Sequence, residues 1–134
     1  MEIICLDTNV LIAHKRAKKG DKDKTFLFRL TTKPYQFAVS SITVYELLRG
    51  DNQDEDVYWK ALFSNMTVLD FDSHSAEQAA KIYQDLKAKG LLIEAEDLLI
   101  AATALGNQIK LATGNVKHFA RVADLELVID DGLF

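Results

Sequence analysis

Ile3, Ile4, Cys5 and Leu6 form an apolar run that halts at three polar residues, Asp7, Thr8 and Asn9, and resumes at Val10, Leu11, Ile12 and Ala13. A short, partly β-branched run of this kind predicts a buried strand over about residues 2–6, and the renewed apolar spacing predicts a helix over about 9–18. The charged stretch KKGDKDK predicts a turn, TFLFRL a helix and YQFAVS a second strand. Ser40, Ser41 and Thr43 offer an N-cap to a helix through VYELLRG, where Gly50 supplies a stop. DEDVYWKALFSN predicts a helix with acids in its first turn, and MTVLDF a strand. In SAEQAAKIYQDLKAKG the apolar residues Ala79, Ile82, Tyr83 and Leu86 recur at helical spacing before a Lys and Gly terminus. EAEDLLIAATALG is apolar nearly all round, which predicts a buried helix, and IKLAT and LELVI predict short strands. Strands alternating with helices imply an α/β domain with a mainly parallel central sheet.

Length and composition narrow the picture further. A chain of 134 residues suits one domain, 1–134, and its 49% hydrophobic and 27% charged residues suit a folded globular protein. No apolar stretch reaches the roughly 20 residues of a membrane span, and Glu2 stands where a signal peptide carries basic residues, so the expected location is cytoplasmic with no membrane partner. The single cysteine, Cys5, excludes an internal disulfide and reads as a small core residue. A net charge of -4 argues against a generally basic nucleic-acid binder, but a site that gathers carboxylates around a cation lowers the total by itself.

Four oxygen-bearing side chains fall at the ends of predicted core elements. Asp7 ends the first strand, Glu46 lies among Val44, Tyr45, Leu47 and Leu48, Asp97 opens the apolar helix, and Asn115 follows the strand IKLAT. In parallel α/β sheets, ligand sites lie at the carboxyl ends of strands. Each residue also has a structural reading of its own. Asp7 could be an N-cap, Asp97 a first-turn acid, Glu46 a partner of Arg49 at i, i+3, and Asn115 a turn residue. Several acids beside apolar cores are most simply held together by one hard cation. His14, His74 and His118 show no metal-ligand spacing and one cysteine makes no thiolate site, so Mg²⁺ or Mn²⁺ suits the oxygen donors better than zinc. LDTNV also invites comparison with haloacid-dehalogenase phosphatases, but Asn9 replaces their second Asp, and LATGN lacks the lysine of receiver domains.

The segments ICLDTNVLIA, SSITVYELLRG, EAEDLLIAATALG and LATGNVKHF, in this order across nearly the whole chain, resemble a PIN domain, specifically the VapC-like toxins of bacterial toxin–antitoxin pairs. The resemblance implies a three-layer α/β/α sandwich and an Mg²⁺- or Mn²⁺-dependent endoribonuclease. It carries the family's acids onto Asp7, Glu46 and Asp97, with the fourth catalytic position, Asp or Asn, on Asn115. Thr8, Asn9 and Thr113 match supporting polar positions. Asn115 leaves three formal carboxylates, and Glu94 and Glu96 replace residues that are small or polar in many members; they either widen the acidic rim or are solvated first-turn residues.

On that basis Asp7 and Asp97 would bind the metal directly and Glu46 through a water, and in-line attack by water would leave 5′-phosphate and 3′-hydroxyl ends. Glu46 or Asp97 would accept the water's proton. Arg49, Lys117 and Arg121 are the candidates for contact with RNA, while HKRAKK reads as a solvated face. The implied partners are an RNA substrate, a cognate antitoxin and a second copy of the chain. The competing readings are a PIN-fold nuclease of RNA processing without an antitoxin, and a non-catalytic nucleic-acid-binding module.

Overall fold

In a computed structural model that describes residues 1–50 and 52–131, five strands form one sheet in the order β3-β2-β1-β4-β5. Asp51 and residues 132–134, within the expected domain, lie outside the described residues. The strands are β1 (Glu2–Leu6), β2 (Tyr35–Ser40), β3 (Thr67–Leu69), β4 (Lys110–Thr113) and β5 (Leu127–Ile129), and every pairing is parallel. The helices are α1 (Thr8–Arg16), α2 (Phe26–Thr31), α3 (Ser41–Leu48), α4 (Gln53–Phe63), α5 (Ser73–Lys89), α6 (Ala95–Gly106) and the single turn α7 (Val116–Phe119).

Strand alternation builds two cores from one sheet. Cys5 pairs with Ala38 on one side and Leu111 on the other, and this row packs on Ala79, Ile82 and Leu86 of α5 and on Ile100, Ala101 and Ala104 of α6. The next row, with Leu6 against Ala112, belongs to the opposite core with Val10 and Leu11 of α1, Leu27 and Leu30 of α2, and Trp59 and Phe63 of α4. The result is the expected α/β/α sandwich. Helix α6 is buried as its composition implies, with Ile100, Ala101, Ala102 and Ala104 fully inaccessible.

Capping fixes most element ends. Ser40, of the three residues offered, caps α3 by accepting from the Ile42 N–H at 3.0 Å, and Asp72 caps α5 by accepting from the Ser75 N–H at 2.8 Å. Gly90 ends α5 in the left-handed region at φ 68°, with the Leu91 N–H bonded back to the Leu86 carbonyl at 2.8 Å. The segment expected as a charged turn is instead a 3₁₀ helix, Lys19–Lys24, and α1 stops at Arg16 rather than near 18. The cause is Lys22, whose ammonium donates to the His14 and Lys15 carbonyls at 2.6 and 2.7 Å and so satisfies the end of α1.

The strand order reverses between β1 and β4: β2 and β3 extend from one side of β1, β4 and β5 from the other, all in the same direction. That crevice, at the carboxyl ends of β1 and β4, is where an open parallel sheet places ligands.

Candidate active site

Asp7 follows β1 at the crevice. Its backbone N–H continues the ladder to the Ala112 carbonyl at 2.9 Å, and its side chain is 1% exposed. It occupies the N-cap position of α1 yet makes no capping hydrogen bond from its side chain. Oδ2 accepts instead from the Thr113 hydroxyl at 2.9 Å, and that hydroxyl accepts in turn from the Asn115 N–H at 2.8 Å. Oδ1 is buried with no hydrogen-bond partner. Burial first, and then the Asp97 and Glu46 charges, oppose the Thr113 bond and push the Asp7 pKa up to about 6.

Three further elements deliver side chains to the same place. Asp7, Thr8, Asn9, Glu46, Glu94, Asp97, Asn115 and His118 line one polar recess of about 210 Å³. Glu46, on α3, accepts from the Thr8 hydroxyl at 2.8 Å, and Thr8 shares a 2.9 Å hydrogen bond with the Thr43 hydroxyl, one helical turn before Glu46. Since Thr8 donates to Glu46, the remaining proton in that pair comes from Thr43, which gives a one-way chain Thr43 to Thr8 to Glu46. Asp97 lies in the first turn of α6, and its pKa is raised by partial burial and by the Glu94 and Glu46 charges, against a smaller opposing effect of His118. Asn115 precedes α7 without capping it; its amide nitrogen donates to His118 Nδ1 at 2.9 Å.

The recess fits a hard divalent cation. A carboxylate oxygen that is buried and unpartnered is a strongly unfavourable group alone, and a cation meets its charge. Among the described residues no three His, Cys, Asp or Glu side chains form a preformed ligating cluster. Mg²⁺ does not require one, since it takes one or two carboxylates and keeps several waters. Asp7 and Asp97 could hold it directly, with Glu46 held in place by Thr8.

The structure thus brings Asp7, Glu46, Asp97, Asn115, Thr8 and Asn9 to one recess, with Thr113 directly behind Asp7. Glu94, at the N-cap position of α6 and exposed, also faces it, whereas Glu96 is half-buried near Arg49. Arg49 lies 5.5 Å over the Tyr45 ring, with the Glu46 charge also acting on it at i, i+3. Arg121 donates to the Leu91 and Leu92 carbonyls at 3.3 and 3.2 Å, tying down the loop between α5 and α6, while Lys117 is exposed on α7. Thr43 was not singled out as a site residue from sequence, its signal being its place three residues before Glu46, and His118 reads there only as one of the basic residues that follow Asn115.

The family model of the PIN domain matches residues 4–125, and the chain belongs to that family. Within it the chain stands with the VapC-like proteins. Ribonuclease VapC1 of Methanocaldococcus jannaschii is 38% identical over 98 residues, 70% of each chain. Ribonuclease VapC1 of Rickettsia felis is 32% identical over 136 residues, covering 93% of this chain and 94% of that one. Among solved structures, VapBC2 from Rickettsia felis bound to a DNA fragment from their promoter superposes with a TM-score of 0.80 at 26% identity, over 95% of this chain and 98% of that one. VapBC-1 from nontypeable Haemophilus influenzae gives a TM-score of 0.80 at 27% identity, over 95% and 97%. Among the described residues no helix is long and apolar enough to cross a membrane.

Proposed function

We propose that this chain is an Mg²⁺- or Mn²⁺-dependent endoribonuclease toxin, held in check by a cognate antitoxin. The observation that carries the reading is Asp7: a buried carboxylate with one oxygen fixed by Thr113 and the other unpartnered, in a recess shared with Glu46 and Asp97. The VapC ribonucleases among its relatives support the reaction class, and the VapBC structures that share its fold support the antitoxin. Dimerisation with a second copy, implied by the family resemblance, and the cytoplasmic location expected from the sequence complete the reading.

Asp7 and Asp97 would hold the ion directly, and Glu46 through water. A bound Mg²⁺ or Mn²⁺ lowers the pKa of nearby water and neutralises charge on the phosphoryl oxygens. Thr113 keeps Asp7 from rotating, because its hydroxyl is itself fixed by the Asn115 N–H. Thr8 and Thr43 aim Glu46 in the same way. Glu46 or Asp97 accepts the proton of a water attacking phosphorus in line with the departing 3′-oxygen. The products are then 5′-phosphate and 3′-hydroxyl ends.

The test is incubation of purified protein with total RNA and Mg²⁺ or Mn²⁺, beside a chelator control and Asp7→Asn. Cleavage confined to the metal-loaded wild type, with 5′-phosphate ends, is the expected result. Equal cleavage by the variant, or 2′,3′-cyclic phosphate products, would overturn it.

A further inference from the structure

The stretch VKHFARV, which follows Asn115, folds into α7 and one further turn, in which the Ala120, Arg121 and Val122 N–H groups donate to the Val116, His118 and Phe119 carbonyls at 2.8, 3.2 and 3.1 Å. Phe119 and Val122, three residues apart, are buried in the same core as Ile100 and Ala101 of α6. His118 and Arg121 repeat that spacing one residue earlier, so the turn that anchors two apolar side chains also carries two polar ones. Each of these holds another part of the site. His118 Nδ1 accepts from the Asn115 amide nitrogen at 2.9 Å, and the Asn115 backbone N–H is bonded to the Thr113 hydroxyl at 2.8 Å. Both nitrogens of Asn115 are thus tied, and among the described residues its Oδ1 has no hydrogen-bond partner. Asp7 shows the same arrangement, with one oxygen on Thr113 and the other unpartnered. Arg121 Nη1 donates to the Leu91 and Leu92 carbonyls at 3.3 and 3.2 Å, in the loop that runs into Glu94 and the first turn of α6, where Asp97 stands.

We infer that His118 and Arg121 are positioning residues of the recess: His118 keeps the Asn115 amide turned so that its oxygen is the atom offered to a cation or its waters, and Arg121 holds the loop from which α6, and with it Asp97, starts. The inference rests on the nuclease reading of the recess. Asn115 stands where the family resemblance allows Asp or Asn, and the two differ in what they need from their neighbours. A carboxylate offers an oxygen whichever way it turns. An amide offers an oxygen in one orientation and an NH₂ donor in the other, and the torsion between them is soft. A group that accepts from the NH₂ selects the orientation that leaves the oxygen free, and His118 is that group. Arg121 acts at one remove. Asn115 follows β4 while Asp97 belongs to α6, and the turn that carries both His118 and Arg121 is tied to each of them, so it sets one edge of the site against the other. A guanidinium engaged with two carbonyls of one loop is thereby assigned to the scaffold of the site, in place of the RNA contact expected from the sequence.

The test is calorimetry of Mn²⁺ with the full chain, beside RNA cleavage by the same preparations. His118→Ala weakens Mn²⁺ binding about 10- to 100-fold, and His118→Gln, whose side-chain oxygen can accept from the Asn115 amide, restores most of it. In an Asn115→Asp background His118→Ala has little further effect, because either oxygen then serves. Arg121→Ala also weakens Mn²⁺ binding, and Arg121→Lys, which keeps a donor, regains part of it. RNA affinity of Arg121→Ala in chelator keeps the wild-type dependence on salt, whereas a lost phosphate contact would lower the slope of log affinity against log salt by about 0.7 to 1. Circular dichroism of each variant checks that it folds. Wild-type Mn²⁺ affinity in His118→Ala and Arg121→Ala, with metal-dependent cleavage by the wild type intact, would overturn the inference while leaving the nuclease reading in place. So would an equal loss from His118→Ala in both backgrounds, the mark of a general scaffold role, or a lowered salt slope in Arg121→Ala with Mn²⁺ affinity unchanged, the mark of an RNA contact. Absence of both Mn²⁺ binding and cleavage in the wild type would remove the nuclease reading and this inference with it.

Discussion

The Thr113 hydroxyl donates to Asp7 Oδ2 at 2.9 Å, joining the ends of two adjacent parallel strands whose residues are 106 positions apart in the chain. The bond leaves one oxygen of Asp7 fixed and the other free for a ligand. Groups that orient a metal-binding carboxylate typically change affinity 10- to 100-fold when removed. Thr113→Val therefore weakens Mn²⁺ binding, read by calorimetry, by about that factor, and Thr113→Ser restores most of it. Equal affinity in all three proteins would show that Asp7 does not need this anchor.

Asp7 gives stability a definite dependence on pH. Its folded pKa of about 6 lies above the ordinary carboxylate value of 3.8, so between these values the folded chain binds a proton that the unfolded chain has released. Stability from this group is complete below about pH 4 and is lost as pH rises through 6, by about 3 kcal/mol in all. Asp97 shifts in the same direction, so Asp7→Asn is needed to isolate the effect. In chelator, urea unfolding of Asp7→Asn should exceed wild type in stability at pH 7.5 and converge on it near pH 4. A constant difference between the two proteins would contradict the shift.

Thr8 is buried and serves two neighbours at once, donating to Glu46 and sharing a proton with Thr43. Thr8→Val keeps the shape, frees Glu46 and strands the Thr43 hydroxyl, at a cost of about 1 to 3 kcal/mol in urea unfolding. Thr8→Ser should stay within about 1 kcal/mol of wild type and retain RNA cleavage. If Thr8→Val cuts RNA at the wild-type rate, Glu46 needs no aiming.

Far from the recess, Gly90 separates backbone from packing effects. Its φ is 68°, and a Cβ placed there meets nothing within 4 Å. Gly90→Ala should cost about 1 kcal/mol from left-handed strain alone, measured by thermal unfolding, with RNA binding unchanged.

The architecture was readable because each strand of a sheet buried on both faces is a short apolar run, and each helix between them carries a stop or a cap. The row Cys5, Ala38 and Leu111, against the row Leu6 and Ala112, is that alternation seen in three dimensions. Asp7, Asp97 and Asn115 could be grouped in advance because strand ends and helix starts share one edge of such a sheet, whereas Glu46, in the last turn of α3, was marked by its charge among apolar neighbours. Thr43 and His118 escaped because their role is a contact, not a pattern: a hydroxyl is equally at home in a cap, and a histidine after a turn reads as one more basic residue. The 3₁₀ segment escaped for a similar reason, since backbone bonding such as that from the Asp21 N–H to the Lys18 carbonyl, and the Lys22 contacts with α1, leave no pattern in a charged stretch.

The seam between β1 and β4 has a consequence for the order in which the chain becomes active. Asp7 leaves the ribosome 106 residues ahead of its anchor, Thr113, and of the neighbouring Asn115. The recess is incomplete until β4 has docked beside β1, so a nascent chain that already holds Asp7, Glu46 and Asp97 has no assembled site. A chain made on an RNA template therefore assembles its acidic recess only after β4 has been synthesised.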